Sequence, residues 1–160
     1  MIPLHDDNPT ERTPFLTVGL IGACVLVYLW QWSLGPEQTA AVYALGVIPA
    51  VVFDHARLSP ELEWIPPVLT PFTSLFLHGG FMHLAGNMLY LWIFGNNVED
   101  AMGHGRFIVF YVICGVAAVL AQALPNPEST VPMIGASGAI SGLSLIHISE
   151  PTRLLSISYA

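Results

Sequence analysis

Residues 15–34 read FLTVGLIGACVLVYLWQWSL, a stretch without a single charge. A helix rises about 1.5 Å per residue, so the run covers about 30 Å, the thickness of a bilayer's hydrocarbon core. It is too long for the apolar part of a signal peptide, follows no basic stretch, and ends on Trp30 and Trp32 instead of small residues. It is therefore expected to persist as a spanning helix. Two further runs repeat the pattern. Residues 81–98 (FMHLAGNMLYLWIFGNNV) follow the Gly79–Gly80 break, and residues 107–124 (FIVFYVICGVAAVLAQAL) follow Arg106. A fourth helix is expected from about Ser137, after the Pro-rich turn 125–134.

The whole composition agrees with this reading. The chain is 54% hydrophobic and 9% charged, too few polar groups to coat a water-soluble domain. The expected fold class is an all-α membrane protein, a polytopic helical bundle. Between Gly35 and Leu77 the charges Glu37, Asp54, Arg57, Glu61 and Glu63 mix with Pro49, Pro60, Pro66, Pro67 and Pro71, which reads as a long loop. Trp64 and its neighbouring prolines suit a segment lying at the headgroup level. Arg12 precedes the first span and Arg106 lies between the second and third, so the positive-inside bias puts both in the cytoplasm, with the N-terminus, and the long loop outside. Net charge is −7 and the basic residues are all arginine, which argues against nucleic acid or an anionic membrane surface as a partner. Cys24 and Cys114 sit in apolar runs without metal-ligand spacing and read as buried free thiols.

Polar groups inside such helices need a reason, because an unpaired one costs several kcal/mol in hydrocarbon. His83 and Asn87 share one face of the second span, at i and i+4, with His78 just before it. They suit either hydrogen bonding to a neighbouring helix or a functional site. Gly135-Ala136-Ser137-Gly138 places a Gly-flanked serine at a helix start. Small neighbours let a substrate backbone approach, and the free N–H groups of the first turn can receive a developing negative charge. Close helix packing explains the same residues equally well, since Gly138 and Gly142 form a GxxxG spacing. Gly95, Glu99 and Gly103 recur at intervals of four where the second span ends. Alone, they read as an ordinary cytoplasmic turn with a carboxylate near a basic residue.

Taken together, HGGFMHLAGNMLYLWIFGNNVED (78–100), GHGRF (103–107) and PMIGASGAISG (132–142) resemble, in order and spacing, the rhomboid family of intramembrane serine proteases. The resemblance covers about residues 9–142. It implies that Ser137 is the nucleophile of a GxSG motif whose small residues are Gly135 and Gly138. His83 and Asn87 are implied to stabilise the oxyanion with the Ser137 N–H, His78 to line a water-accessible cavity, and Glu99 to hold helices together. The implied activity is hydrolysis of peptide bonds in or near transmembrane segments of membrane-protein substrates. It proceeds through a Ser-His dyad and an acyl-enzyme, without metal or cofactor. The implied setting is a multi-pass protein of the plasma (inner) membrane of a prokaryote, in contact with the lipid bilayer.

The resemblance also implies a general-base His on a sixth helix in a Gly-rich run, and the sequence contains no fifth or sixth span. Residues 1–142 thus read as a partial rhomboid domain with about four of six transmembrane helices, and this chain is expected to be inactive. Without the later helices, the GxxxG face of the Ser137 helix is expected to lie unpacked. Residues 143–153, LSLIHISEPTR, match a translation of the transposase mosaic-end adaptor of sequencing libraries, so 143–160 is expected to be a non-native tail. Two other functions compete. An inactive rhomboid-like protein binding transmembrane clients has no need of intact Ser137, His83 and Asn87. A channel or transporter calls for inverted repeats or polar residues spread through the bilayer depth, and neither is visible.

Overall fold

The computed structural model describes residues 13–149, so Arg12 and the tail residues 150–160 lie outside the described residues. Helix α1, Phe15–Ser33, follows Pro14, and Gly35 with φ +55° turns the chain out of it. The segment 35–77 is more ordered than a loop reading suggests. It holds α2 (Gln38–Leu45) and the single-turn helices α3 (Pro49–Val52) and α4 (Thr70–Thr73), joined by short 3₁₀ turns. Prolines begin several of these pieces, where a missing N–H costs nothing. Ala41, Ala44, Ile48, Leu75 and Leu77 bury this segment against the bundle.

Helix α5, Phe81–Met102, opens after the glycine pair and closes at Gly103, whose φ of +78° and N–H bond to the Glu99 carbonyl (2.8 Å) form a glycine C-cap. The helix thus runs four residues past the expected end at Val98. Residues 99–102 stay helical because the Glu99 side chain finds its partners in α1. Helix α6, His104–Ala123, starts at once, and α7, Ser137–Ser149, follows the turn. Helices α1 and α6 are long and apolar enough to cross a membrane. Helix α5 matches them in length, but His83, Asn87, Asn96, Asn97, Glu99 and Asp100 dilute its hydropathy.

Leu20, Leu91, Val98, Phe107, Tyr111, Ala139, Ile140 and Leu143 form the core where these helices meet. Leu26, Val109 and Ile113 point outward instead, as apolar side chains do when the surroundings are lipid. Helix α7 packs chiefly on α6 and then on α5. Its GxxxG face is not left unpacked: a Cβ at Gly138 or Gly142 would stand 2.5 Å from the Ala118 Cβ or the Cys114 Sγ. The expectation of a bare face fails because small residues on α6 already meet that face. Cys24 is buried, while Cys114 is only half-buried.

Two backbone pairings tie the segment after α2 to the turn before α7. Val47 and Met133 exchange N–H···O bonds (3.0 and 2.7 Å), and the Ala50 N–H donates to the Ser129 carbonyl (3.0 Å). Gly46 makes room for this approach, since a Cβ there would lie 2.9 Å from the Ile134 Cγ2. The turn that delivers Ser137 is therefore held by hydrogen bonds from the opposite segment.

Candidate active site

Ser137 is the first residue of α7, and it is exposed. The first helical bond in this turn runs from the Ile140 N–H to the Ala136 carbonyl (3.0 Å). The N–H groups of Ser137, Gly138 and Ala139 therefore stand free at the helix start, next to the serine hydroxyl. Gly135 sets the approach. Its φ is +118°, a conformation L side chains rarely adopt, and its N–H is fixed to the Ser74 carbonyl at 2.8 Å.

Gly135 also brings the two helices together. A Cβ there would stand 2.8 Å from both Cε1 and Nε2 of His83 and 3.6 Å from Nδ2 of Asn87. The first turn of α7 thus sits directly beside the His83 and Asn87 face of α5. Asn87, Ser137, Ile140, Ser141 and Tyr90 line one open cleft of about 450 Å³. Asn87 is 8% exposed, and its Nδ2 has no hydrogen-bond partner among the described residues. A buried amide left unpaired costs about 1–3 kcal/mol unless something from outside accepts its hydrogens. A carbonyl oxygen in the cleft would do so.

His83 is exposed, and its Nδ1 accepts the Gly79 N–H at 3.4 Å. Its ring meets the His78 ring edge-on, with centroids 5.2 Å apart. His78 is fully buried just ahead of α5. Its Nδ1 pairs with the Phe76 carbonyl at 3.2 Å, while its Nε2 has no partner among the described residues. Burial pushes the His78 imidazole down to about 4, against the opposing pull of the Phe76 carbonyl and with a further push from His83. The ring is therefore neutral near pH 7. Its backbone is gripped by a residue the sequence reading passed over. The Gln31 side chain in α1 accepts the His78 N–H (3.0 Å) and donates to the His78 carbonyl (3.3 Å). Gln31 is fully buried. The same question asked of His83 and Asn87, why a polar side chain sits in a span, would have found it.

Glu99 lies at the far end of α5, among the ends of α1 and α6. It is fully buried, and its carboxylate accepts the N–H groups of Leu16 (3.0 Å) and Thr17 (2.8 Å), the Thr17 hydroxyl (2.7 Å) and the His104 Nδ1 (2.7 Å). A carboxylate at the start of α1 also meets the positive end of that helix dipole. Gly95 lets α1 come close, since a Cβ there would lie 2.9 Å from the Thr17 Cγ2. The isolated reading of Glu99 as part of an ordinary turn therefore gives way to a buried clasp between helices.

The chain is similar in sequence to known proteins. A family model described as the Rhomboid domain matches residues 67–156. The chain is 43% identical over 151 residues to Rhomboid protease GluP of Bacillus subtilis (strain 168), covering 93% of this chain and 26% of that protein. It is 38% identical over 78 residues to RHOMBOID-like protein 5 of Arabidopsis thaliana, covering 49% of this chain and 25% of that protein. To Rhomboid protease GlpG of Enterobacter sp. (strain 638) it is 28% identical over 133 residues, covering 83% of this chain and 42% of that protein. The chain thus spans less than half the length of these curated relatives.

Proposed function

The chain belongs to the rhomboid family and so is an integral membrane protein, and from that premise we propose that it is part of an intramembrane serine endopeptidase with Ser137 as its nucleophile. One observation carries the reading: Gly135 seats the start of α7 directly against His83 and Asn87, with Ser137 and Asn87 in the same cleft. In the proposed reaction the Ser137 Oγ attacks a peptide carbonyl carbon while a base takes its proton. The oxyanion is met by the free N–H groups of the first turn of α7, by Asn87 Nδ2–H and by His83 Nε2–H. Collapse expels the amine, which takes up the proton the base removed, and leaves an acyl-enzyme, which water then hydrolyses with the same base. The substrates are transmembrane proteins, cut in or beside their membrane segments.

The base is a separate matter. His78 is held by Phe76 and His104 by Glu99 at the other end of α5. His147 lies on the same continuous helix as Ser137, roughly 15 Å along it at 1.5 Å per residue. We assign the base to none of them; by the rhomboid resemblance it is a His on a sixth helix, which the sequence reading does not find in these 160 residues. The 160-residue chain alone is accordingly expected not to cleave. The end bearing Phe15, His104 and Arg106 is read as cytoplasmic, in the plasma (inner) membrane of a prokaryote; the Phe15 and His104 rings lie 4.0 Å apart there. Residues 143–160 are read as a non-native tail, which the DNA following codon 142 tests directly.

The deciding assay uses a transmembrane reporter with three proteins: this chain, the full-length gene product containing residues 1–142, and that product carrying Ser137→Ala. Cleavage by the full-length protein alone is the expected result. Cleavage by the Ala variant removes Ser137 from the reaction, and cleavage by the 160-residue chain removes the need for a further base.

A further inference from the structure

We propose that Gln31 is a positioning residue of the Ser137 site, which aligns the Gly79 N–H on His83 Nδ1 and so keeps the His83 proton on Nε2, the nitrogen that faces the Gly135–Ser137 turn. The inference rests on the reading of His83 as an oxyanion donor.

The chain of contacts is short and continuous. Gln31, inside α1, engages both backbone groups of His78, the N–H at 3.0 Å and the carbonyl at 3.3 Å. A side-chain amide used this way acts as a neighbouring strand does, fixing the orientation of two successive peptide planes. The second of those planes contains the Gly79 N–H, because the His78 carbonyl and the Gly79 nitrogen belong to one peptide unit. That N–H donates to His83 Nδ1 at 3.4 Å. A ring nitrogen that accepts cannot carry the proton in neutral imidazole, so the proton resides on Nε2. Nε2 is the atom that a Cβ on Gly135 would meet at 2.8 Å, the side from which the turn before Ser137 approaches.

The device has two reasons to be sited in α1. Gly79 and Gly80 precede α5 and carry no side chain to hold themselves, and His83 is exposed, so nothing on α5 alone determines its tautomer. Gln31 is fully buried, as is His78, so the grip on this peptide is shielded from competing water. Metal sites fix the tautomer of a ligating histidine by the same means, through a bond to its other ring nitrogen. Here the partner is a backbone N–H whose aim is set from a different helix.

The experiment is ¹⁵N NMR of the His83 ring and of the His78 and Gly79 amides in detergent micelles, on the 160-residue chain. Gln31→Leu is expected to move His83 toward the Nδ1–H form and to speed amide exchange at His78 and Gly79 at least tenfold. Ser137→Ala is expected to leave all three signals in place. Gln31→Glu keeps an acceptor for the His78 N–H but, ionised, has no donor for its carbonyl, and is expected to shift the ring partway; it serves if Gln31→Leu does not fold. An unchanged His83 ring in either folded variant overturns the proposal. The catalytic reading is tested separately by the reporter assay above, where Ser137→Ala and not Gln31 is the decisive variant. A shifted tautomer with an active Ser137→Ala protein sinks the protease reading and leaves the alignment of His83 standing.

Discussion

The two ends of α5 use polar residues in opposite ways. At the Glu99 end, one buried carboxylate accepts four hydrogen bonds, from Leu16, Thr17 (twice) and His104. At the His83 end, polar groups are held in place and left open: Asn87 Nδ2 and His78 Nε2 are buried without partners, and Ser137 is exposed beside free N–H groups. The filled carboxylate reads as a joint, and the open groups beside Ser137 read as a candidate site. A group kept unsatisfied at a cost of about 1–3 kcal/mol is ready for a visitor.

The contrast breaks most readily at Glu99. Glu99→Ala leaves two N–H groups and a hydroxyl unpaired, and is expected to destabilise the protein by about 3–5 kcal/mol in detergent unfolding. A loss within experimental error makes the joint dispensable and the contrast empty. The opposite test is Asn87→Ala in the full-length protein. It forfeits no hydrogen bond of Nδ2 within the fold, so its midpoint of unfolding is expected to move little while reporter cleavage drops on the order of 10²–10³-fold. A large stability loss with intact turnover would make Asn87 a second joint.

Smaller effects sharpen the picture. Gly142→Ala pushes a methyl into Cys114 and is expected to cost about 2 kcal/mol by overpacking the α6–α7 seam, with Ser137, His83 and Asn87 untouched. Circular dichroism melts measure this, and a neutral result means the seam can relax. The smallest effect is that of acid on His78. Its folded value of about 4 lies below the ordinary 6.5 for histidine, so the unfolded chain binds the proton first. The stability this ring contributes is whole above 6.5 and is lost as pH falls toward 4, by roughly 1 kcal/mol at about pH 5.5. The His78→Asn variant should lack that slope, and an equal slope in both assigns it to another group.

Much of this was legible from residue order. The uncharged runs locate α1, α5 and α6 because backbone in lipid must be helical, and that rule leaves few choices. The neighbourhood of Ser137, His83 and Asn87 is readable only through the family motifs, since spacing alone fits helix packing equally well. What stayed hidden depends on partners distant in the chain. Glu99 keeps α5 helical to Met102 by bonds to residues more than 80 positions away. Gln31 looks like filler in an apolar run until His78 is seen to lie against it. Helix α2 is short and lies among turn formers, so its burial through Ala41 and Ala44 comes from the bundle and not from its own pattern.

The seating of Gly138 and Gly142 on α6 also bears on how such a protein is made. Helices α6 and α7 are neighbours in the chain, joined by residues 124–136, and close-packed at Gly138 and Gly142. As synthesis proceeds, this hairpin can close as soon as α7 enters the membrane, carrying Ser137 to its station beside α5. The first turn of α7 is then seated beside His83 and Asn87 by contacts within residues 13–149.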